Sequence, residues 1–150
     1  MILKIHSDSS YLNEPKICSC GGVHFYLSNK ADNKPNVNNG ALLTISQLLR
    51  NVILSSAEAE CGALFNNAKQ GVPLRISLKE MGHPQPPTPI QVDNSTAAGF
   101  ANRQIKQNRT KSMEWIQDRV TQKQFKEYLR PGHTNLADYF TNHHAPSHHR

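Results

Sequence analysis

Four acidic residues sit where apolar runs end or helices begin. Asp8 follows Ile2–His6, and Asp93 follows Ile90–Val92. Glu60 falls about one and a half turns into a helical stretch, and Asp138 one turn into a short helical stretch near the end. If the two strands are adjacent and parallel, their carboxylates meet at one edge of a sheet, where ligands of such folds commonly bind. Two strand ends and two helices could thus aim four carboxylates at one point. Gathered together they would repel unless divalent cations neutralised them. Ligands that are all oxygen suit Mg²⁺ or Mn²⁺ rather than zinc.

Each acid also has a purely structural role open to it. Asp8 could be a turn residue, Asp93 could cap a following helix, and Asp138 could be a first-turn acid favoured by the helix dipole. Glu58 competes with Glu60. In Ser55-Ser56-Ala57-Glu58 the Ser55 hydroxyl can accept the Glu58 amide, a capping box that gives Glu58 a structural job.

The elements that must carry these residues follow from periodicity. Ile2–His6 reads as a strand delivering Asp8 at its end, and the alternation of Val23, Phe25 and Leu27 with polar neighbours reads as a half-buried strand. Asn29–Gly40 reads as a long connection, and Ala41–Ile45 and Val52–Leu54 as further strands. Cys61, Leu64, Phe65, Ala68 and Val72 share one helical face. Gly71 and Pro73 should break or kink that helix, with Leu74, Leu78 and Met81 continuing a second stripe until Gly82 stops it. Ile90–Val92 is a short strand, Asn94–Ala101 and Thr110–Val120 are helices, Phe125–Leu129 is a last strand, 130–133 a turn, and Asn135–Thr141 a short helix. Hairpin strands followed by strand–helix alternation predict a mixed sheet with helices packed on it.

Composition narrows the classes. At 150 residues, with 37% hydrophobic and 19% charged residues, the chain fits one globular domain rather than a disordered segment. No signal peptide and no membrane span are expected. Three cysteines (Cys18, Cys20, Cys61) are too few for a disulfide framework, which favours a reducing, intracellular compartment, cytoplasm or nucleus. Cys18-x-Cys20 with His24 resembles half a zinc site, but no second pair follows. The net charge of +6 points to a polyanionic partner, and most of the excess lies between Arg103 and Arg130. Trp115 could stack on a sugar or base, although a core position is favoured. Residues 143–150 form a His-rich tail expected to be disordered.

The segments HSDSSY, SSAEAECGAL, IQVDNSTA and RPGHTNLADYFT follow one another in the order seen in copia-type retrotransposon ribonuclease H domains, and the chain resembles that family from about Ile5 to Thr141. The resemblance implies an α/β ribonuclease H-like fold over residues 1–142, with a five-stranded mixed sheet and flanking helices. It implies two Mg²⁺ or Mn²⁺ ions held by Asp8, Glu60, Asp93 and Asp138, with His133 beside them. The implied activity is hydrolysis of the RNA strand of RNA–DNA hybrids, with a reverse transcriptase domain as a further partner. One metal would activate water and the other stabilise the departing 3′-oxygen.

The chain departs from the family by being about four residues shorter between Lys111 and Trp115, roughly one helical turn. A catalytically inactive nucleic-acid-binding remnant is therefore the alternative reading. A transposase or integrase core is the other rival. It would place a third acid about 35 positions after Asp93, where the nearest candidate, Glu127, falls in an expected strand.

Overall fold

The computed structural model describes residues 1–14, 18–29, 40–49, 55–93, 111–130 and 134–141. Five strands and three helices occur among them: β1 (Ile2–Glu14), β2 (Cys18–Ser28), β3 (Ala41–Leu49), α1 (Ser56–Glu80), β4 (Thr88–Val92), α2 (Lys111–Thr121), β5 (Phe125–Leu129) and α3 (Asp138–Thr141). The strands form one sheet in the order β3-β2-β1-β4-β5. β1 pairs antiparallel with β2, and β2 with β3. β1 pairs parallel with β4, and β4 with β5. The mixed sheet expected from the element order is the one observed.

Alternation decides the two faces. Leu3 and Ile5 stand opposite Leu27 and Phe25, and with Val23, Ile90, Val92 and Phe125 they build the main core against Cys61, Leu64 and Ala68 of α1 and Ile116 of α2. Trp115 belongs to this layer, its ring edge-on to Phe65 with centroids 5.4 Å apart. Lys4, His6 and Asp8 alternate with these residues and point to the other face, which receives the segment around α3.

Several boundaries differ from expectation. β1 does not end at Asp8 but continues to Glu14, because β2 supplies antiparallel partners as far as Cys18. Parallel pairing to β4 is confined to Ile5–Ile90 and His6–Gln91. β1 therefore runs on past the end of β4, and the register, if continued, sets Asp8 against Asp93.

α1 is one helix of 25 residues that passes through Pro73. A mid-helix proline removes one backbone bond and costs roughly 3 kcal/mol. Packing on both sides offsets it. Gly71 sits so close to the sheet that an added Cβ would meet Ile5 Cδ1 at 3.0 Å and Phe125 Cε1 at 3.3 Å. Gly82, at φ 88°, ends the helix as expected, with the Gly82 and His83 amides donating to Lys79 and Leu78.

The last helix is shorter than Asn135–Thr141, and Asp138 is its first residue rather than a turn inside it. The expected Val52–Leu54 strand, the Asn94–Ala101 helix, most of the 29–40 connection and the turn residues 131–133 lie outside the described residues. No helix among the described residues is long and apolar enough to cross a membrane.

Candidate active site

Ser55 caps α1 in extended conformation, its hydroxyl accepting the Glu58 amide at 3.1 Å. Glu58 is exposed at this first turn. Two residues on, Glu60 has turned inward and is 3% exposed. There its Oε1 accepts two hydrogen bonds from β1, from the Ser9 hydroxyl at 2.7 Å and the Ser9 amide at 2.9 Å. Its Oε2 is buried with no hydrogen-bond partner.

Asp8, also 3% exposed, accepts a short hydrogen bond from the Thr141 hydroxyl of α3. Asp93 follows β4 directly and is exposed. Carboxylate oxygens of Asp8, Glu60 and Asp93 all lie within 4.8 Å of one another, the one such grouping of potential metal ligands among the described residues. Asp138 stands outside that group, yet its charge raises the pKa of both Asp8 and Asp93.

The electrostatics follow from burial and like charge. Burial pushes Glu60 up to about 8, aided by Asp8 and Asp93 and opposed by the Ser9 hydrogen bonds. Asp8 is pushed up to about 6 by burial first, with Asp93 and Asp138 adding to it and the Thr141 hydroxyl opposing. Asp93 is raised for the same leading reason.

An orphaned oxygen on a buried carboxylate, beside two more carboxylates, is unfavourable in a metal-free protein. The donor set is all oxygen. Both features fit a hard divalent cation, which would neutralise the cluster and supply the missing partner.

Of the five residues singled out from sequence, three are thus brought together, and Asp138 stands nearby at the start of α3. His133 lies outside the described residues. Sequence reasoning missed the residues that hold the acids in place. These are Ser9 on Glu60 and Thr141 on Asp8. Beside them Asn67 of α1 ties the helix to the sheet, its amide donating to the Ser7 hydroxyl at 2.8 Å and the Gly22 carbonyl at 3.0 Å. Ser9 is a half-buried strand residue and Asn67 and Thr141 are buried helix residues, and nothing local in the sequence marks their distant partners.

Other candidates resolve differently. Cys20 is buried with its sulfur 3.3 Å from the Ser46 hydroxyl. Arg119 lies over the Trp115 ring at 5.0 Å and donates to Gln124, and Arg130 lies over Tyr128 at 5.5 Å. Part of the basic stretch therefore packs on the protein's own aromatic rings. Arg103, Lys106 and Arg109 lie outside the described residues, as does the tail 143–150. Glu127 is in β5, as expected, and belongs to no ligand group among the described residues.

No established sequence family and no curated protein matches the chain. Solved structures do. LC11-RNase H1, isolated from compost by a metagenomic approach, matches with a TM-score of 0.67 at 13% identity, over 93% of this chain and 91% of that one. The same enzyme in complex with an RNA/DNA hybrid matches with a TM-score of 0.65 at 12% identity, over 92% of each chain. The protease-reverse transcriptase of prototype foamy virus matches with a TM-score of 0.52 at 15% identity, over 93% of this chain but 20% of that one. At such identities the likeness establishes architecture. The fold is ribonuclease H-like, a five-stranded mixed sheet with flanking helices.

Proposed function

We propose that this chain is a metal-dependent nuclease that hydrolyses the RNA strand of RNA–DNA hybrids, within a retrotransposon polyprotein of the copia type. The observation that carries the reading is the convergence of Asp8, Glu60 and Asp93 within 4.8 Å, with a buried carboxylate oxygen left over. The fold supports it, since a neighbour of that fold is known in complex with an RNA/DNA hybrid. The copia-type context rests on the four ordered sequence motifs. Residues 1–142 form the nuclease domain in this reading, and a polymerase domain is its natural partner. The free, buried Cys20 and Cys61 fit a reducing compartment inside the cell.

Asp8, Glu60 and Asp93 would hold the metal, with Asp138 as a fourth ligand and His133 beside them. Two bound Mg²⁺ or Mn²⁺ ions would activate a water, polarise the scissile phosphate and stabilise the leaving 3′-oxygen.

The chain's own residues prepare the site. Ser9 fixes one oxygen of Glu60, so the carboxylate cannot rotate freely. Thr141 fixes one oxygen of Asp8. Burial holds a proton on Glu60 near neutral pH, which must leave before the carboxylate can act as an anionic ligand, so metal uptake is coupled to proton release. Asp93 is exposed, so a large substrate can reach the cluster from that side.

The test is cleavage of a strand-labelled RNA–DNA hybrid by the purified chain in Mg²⁺ and in Mn²⁺, with duplex DNA and excess chelator as controls. Cleavage of the RNA strand alone, abolished by chelator, is the expected result. A folded chain that cuts nothing in either metal is the inactive remnant instead.

A further inference from the structure

α3 has four residues, too few to be stable on its own. Yet it begins with Asp138 and ends with Thr141, which holds Asp8. Something outside the helix must fix it against the sheet. The segment leading into it is attached to β1 and β4 through polar groups. Gln91 donates to the Thr134 hydroxyl at 3.0 Å, and the Asn135 amide donates to the Ser7 carbonyl at 2.7 Å. The Leu136 amide donates to His6 Nδ1 at 3.0 Å.

His6 is the unusual partner. It is a 4% exposed histidine in the middle of β1, with Tyr26 Oη 2.9 Å from its Nε2 and the two rings edge-on. Because Nδ1 accepts a backbone N–H, it carries no proton, so the neutral ring is protonated at Nε2 and donates to Tyr26. Tautomer and ring orientation are both fixed, and a backbone amide two residues before Asp138 is fixed with them.

We propose that His6 is a positioning residue for the Asp138 carboxylate, acting as a side-chain acceptor that ties the segment carrying Asp138 and Thr141 to β1. The inference rests on the nuclease reading in so far as Asp138 serves the metals. The tether itself rests on geometry alone.

Three variants of the full chain test it: His6→Leu removes the acceptor, His6→Asn sets an amide oxygen near where Nδ1 stood, and Tyr26→Phe removes only the Nε2 partner. Amide hydrogen exchange on the metal-free protein is the first readout. Protection across 134–141 should fall at least about tenfold in His6→Leu, fall less in Tyr26→Phe and recover in His6→Asn, with β2 and α1 unchanged. Hybrid cleavage is the second. In His6→Leu, kcat should fall on the order of 10-fold to 100-fold and half-saturating Mn²⁺ should rise, while KM for the hybrid stays the same.

Wild-type protection of 134–141 in His6→Leu overturns the proposal, as does a loss expressed in KM with kcat intact. Should His6→Leu fail to fold, unchanged protection in Tyr26→Phe overturns it equally. A wild type that cuts no hybrid while the exchange pattern follows expectation overturns the nuclease reading and leaves the tether standing.

Discussion

Ser9 and Glu60 are 51 positions apart in sequence, and the Ser9 hydroxyl and amide both donate to one Glu60 oxygen, at 2.7 and 2.9 Å. β1 thereby orients the one carboxylate of the cluster that comes from α1. Ser9→Ala keeps the amide and loses the hydroxyl. Cleavage should fall about tenfold, as is typical when a metal ligand loses its orienting partner. Stability should change by no more than about 1 kcal/mol. Comparing kcat with the melting temperature separates the two effects, and unchanged cleavage would remove Ser9 from the site.

Glu60 should cost the metal-free protein stability. Its folded-state pKa of about 8 stands above the ordinary 4.5, so the folded state binds the proton more tightly than the unfolded chain. Its contribution is therefore most favourable in acid and is lost as pH rises from about 4.5 through 8. His6, lowered to about 4, stops contributing any slope above its ordinary 6.5. Between pH 6.5 and 8.5 the metal-free wild type should lose melting temperature, and Glu60→Gln should lose less. Added Mn²⁺ should restore the wild type and leave the variant unmoved. Parallel melting curves for the two proteins would contradict the burial argument.

How much of this was legible in the sequence depends on whether a residue's role is local. Asp8 and Asp93 stood out because apolar runs end beside them, and Glu60 was preferred to Glu58 because a helix cap occupies Glu58 and the resemblance to the copia-type motif falls on Glu60. The mixed sheet followed from alternation and element order. Pro73 misled because its local cost is large, while the packing that offsets it, Gly71 against Ile5 and Phe125, joins residues far apart in sequence. Asp8 was read as a strand end because the apolar run stops there. The polar residues beyond it continue the strand through pairing with β2. Ser9, Thr141 and His6 were missed for the same reason, since their partners are 51, 133 and 130 positions away.

Glu127 gives an independent check. It is 5% exposed, both of its oxygens lack hydrogen-bond partners, and burial pushes its pKa up to about 7. Its stabilising share is lost as pH rises from about 4.5 through 7. Glu127→Gln should stabilise the protein at pH 7.5 by on the order of 1–3 kcal/mol, read by denaturant titration. Cleavage should be unaffected. A variant that no longer cuts would make Glu127 a third catalytic acid and favour the transposase-like alternative.

Hybrid binding should be weakened strongly by salt, with little dependence on sequence. Lys123 and Lys126 are exposed, whereas Arg119 and Arg130 lie over the protein's own rings. Replacing either lysine with alanine should lower the slope of log affinity against log salt by up to about one. Titrations at several salt concentrations decide this, and a flat response in the wild type would take the basic stretch out of substrate binding.

The most direct measurement is RNA-strand cleavage of a labelled hybrid by wild type and Asp93→Asn in Mg²⁺ and Mn²⁺. Asp93 is exposed, so the amide should leave the fold intact, but it cannot supply the anionic charge that holds a hard cation. The expected result is cleavage by wild type that chelator abolishes, and none detectable from a folded Asp93→Asn. Cleavage that persists in Asp93→Asn, or in excess chelator, would contradict a metal site built on Asp8, Glu60 and Asp93.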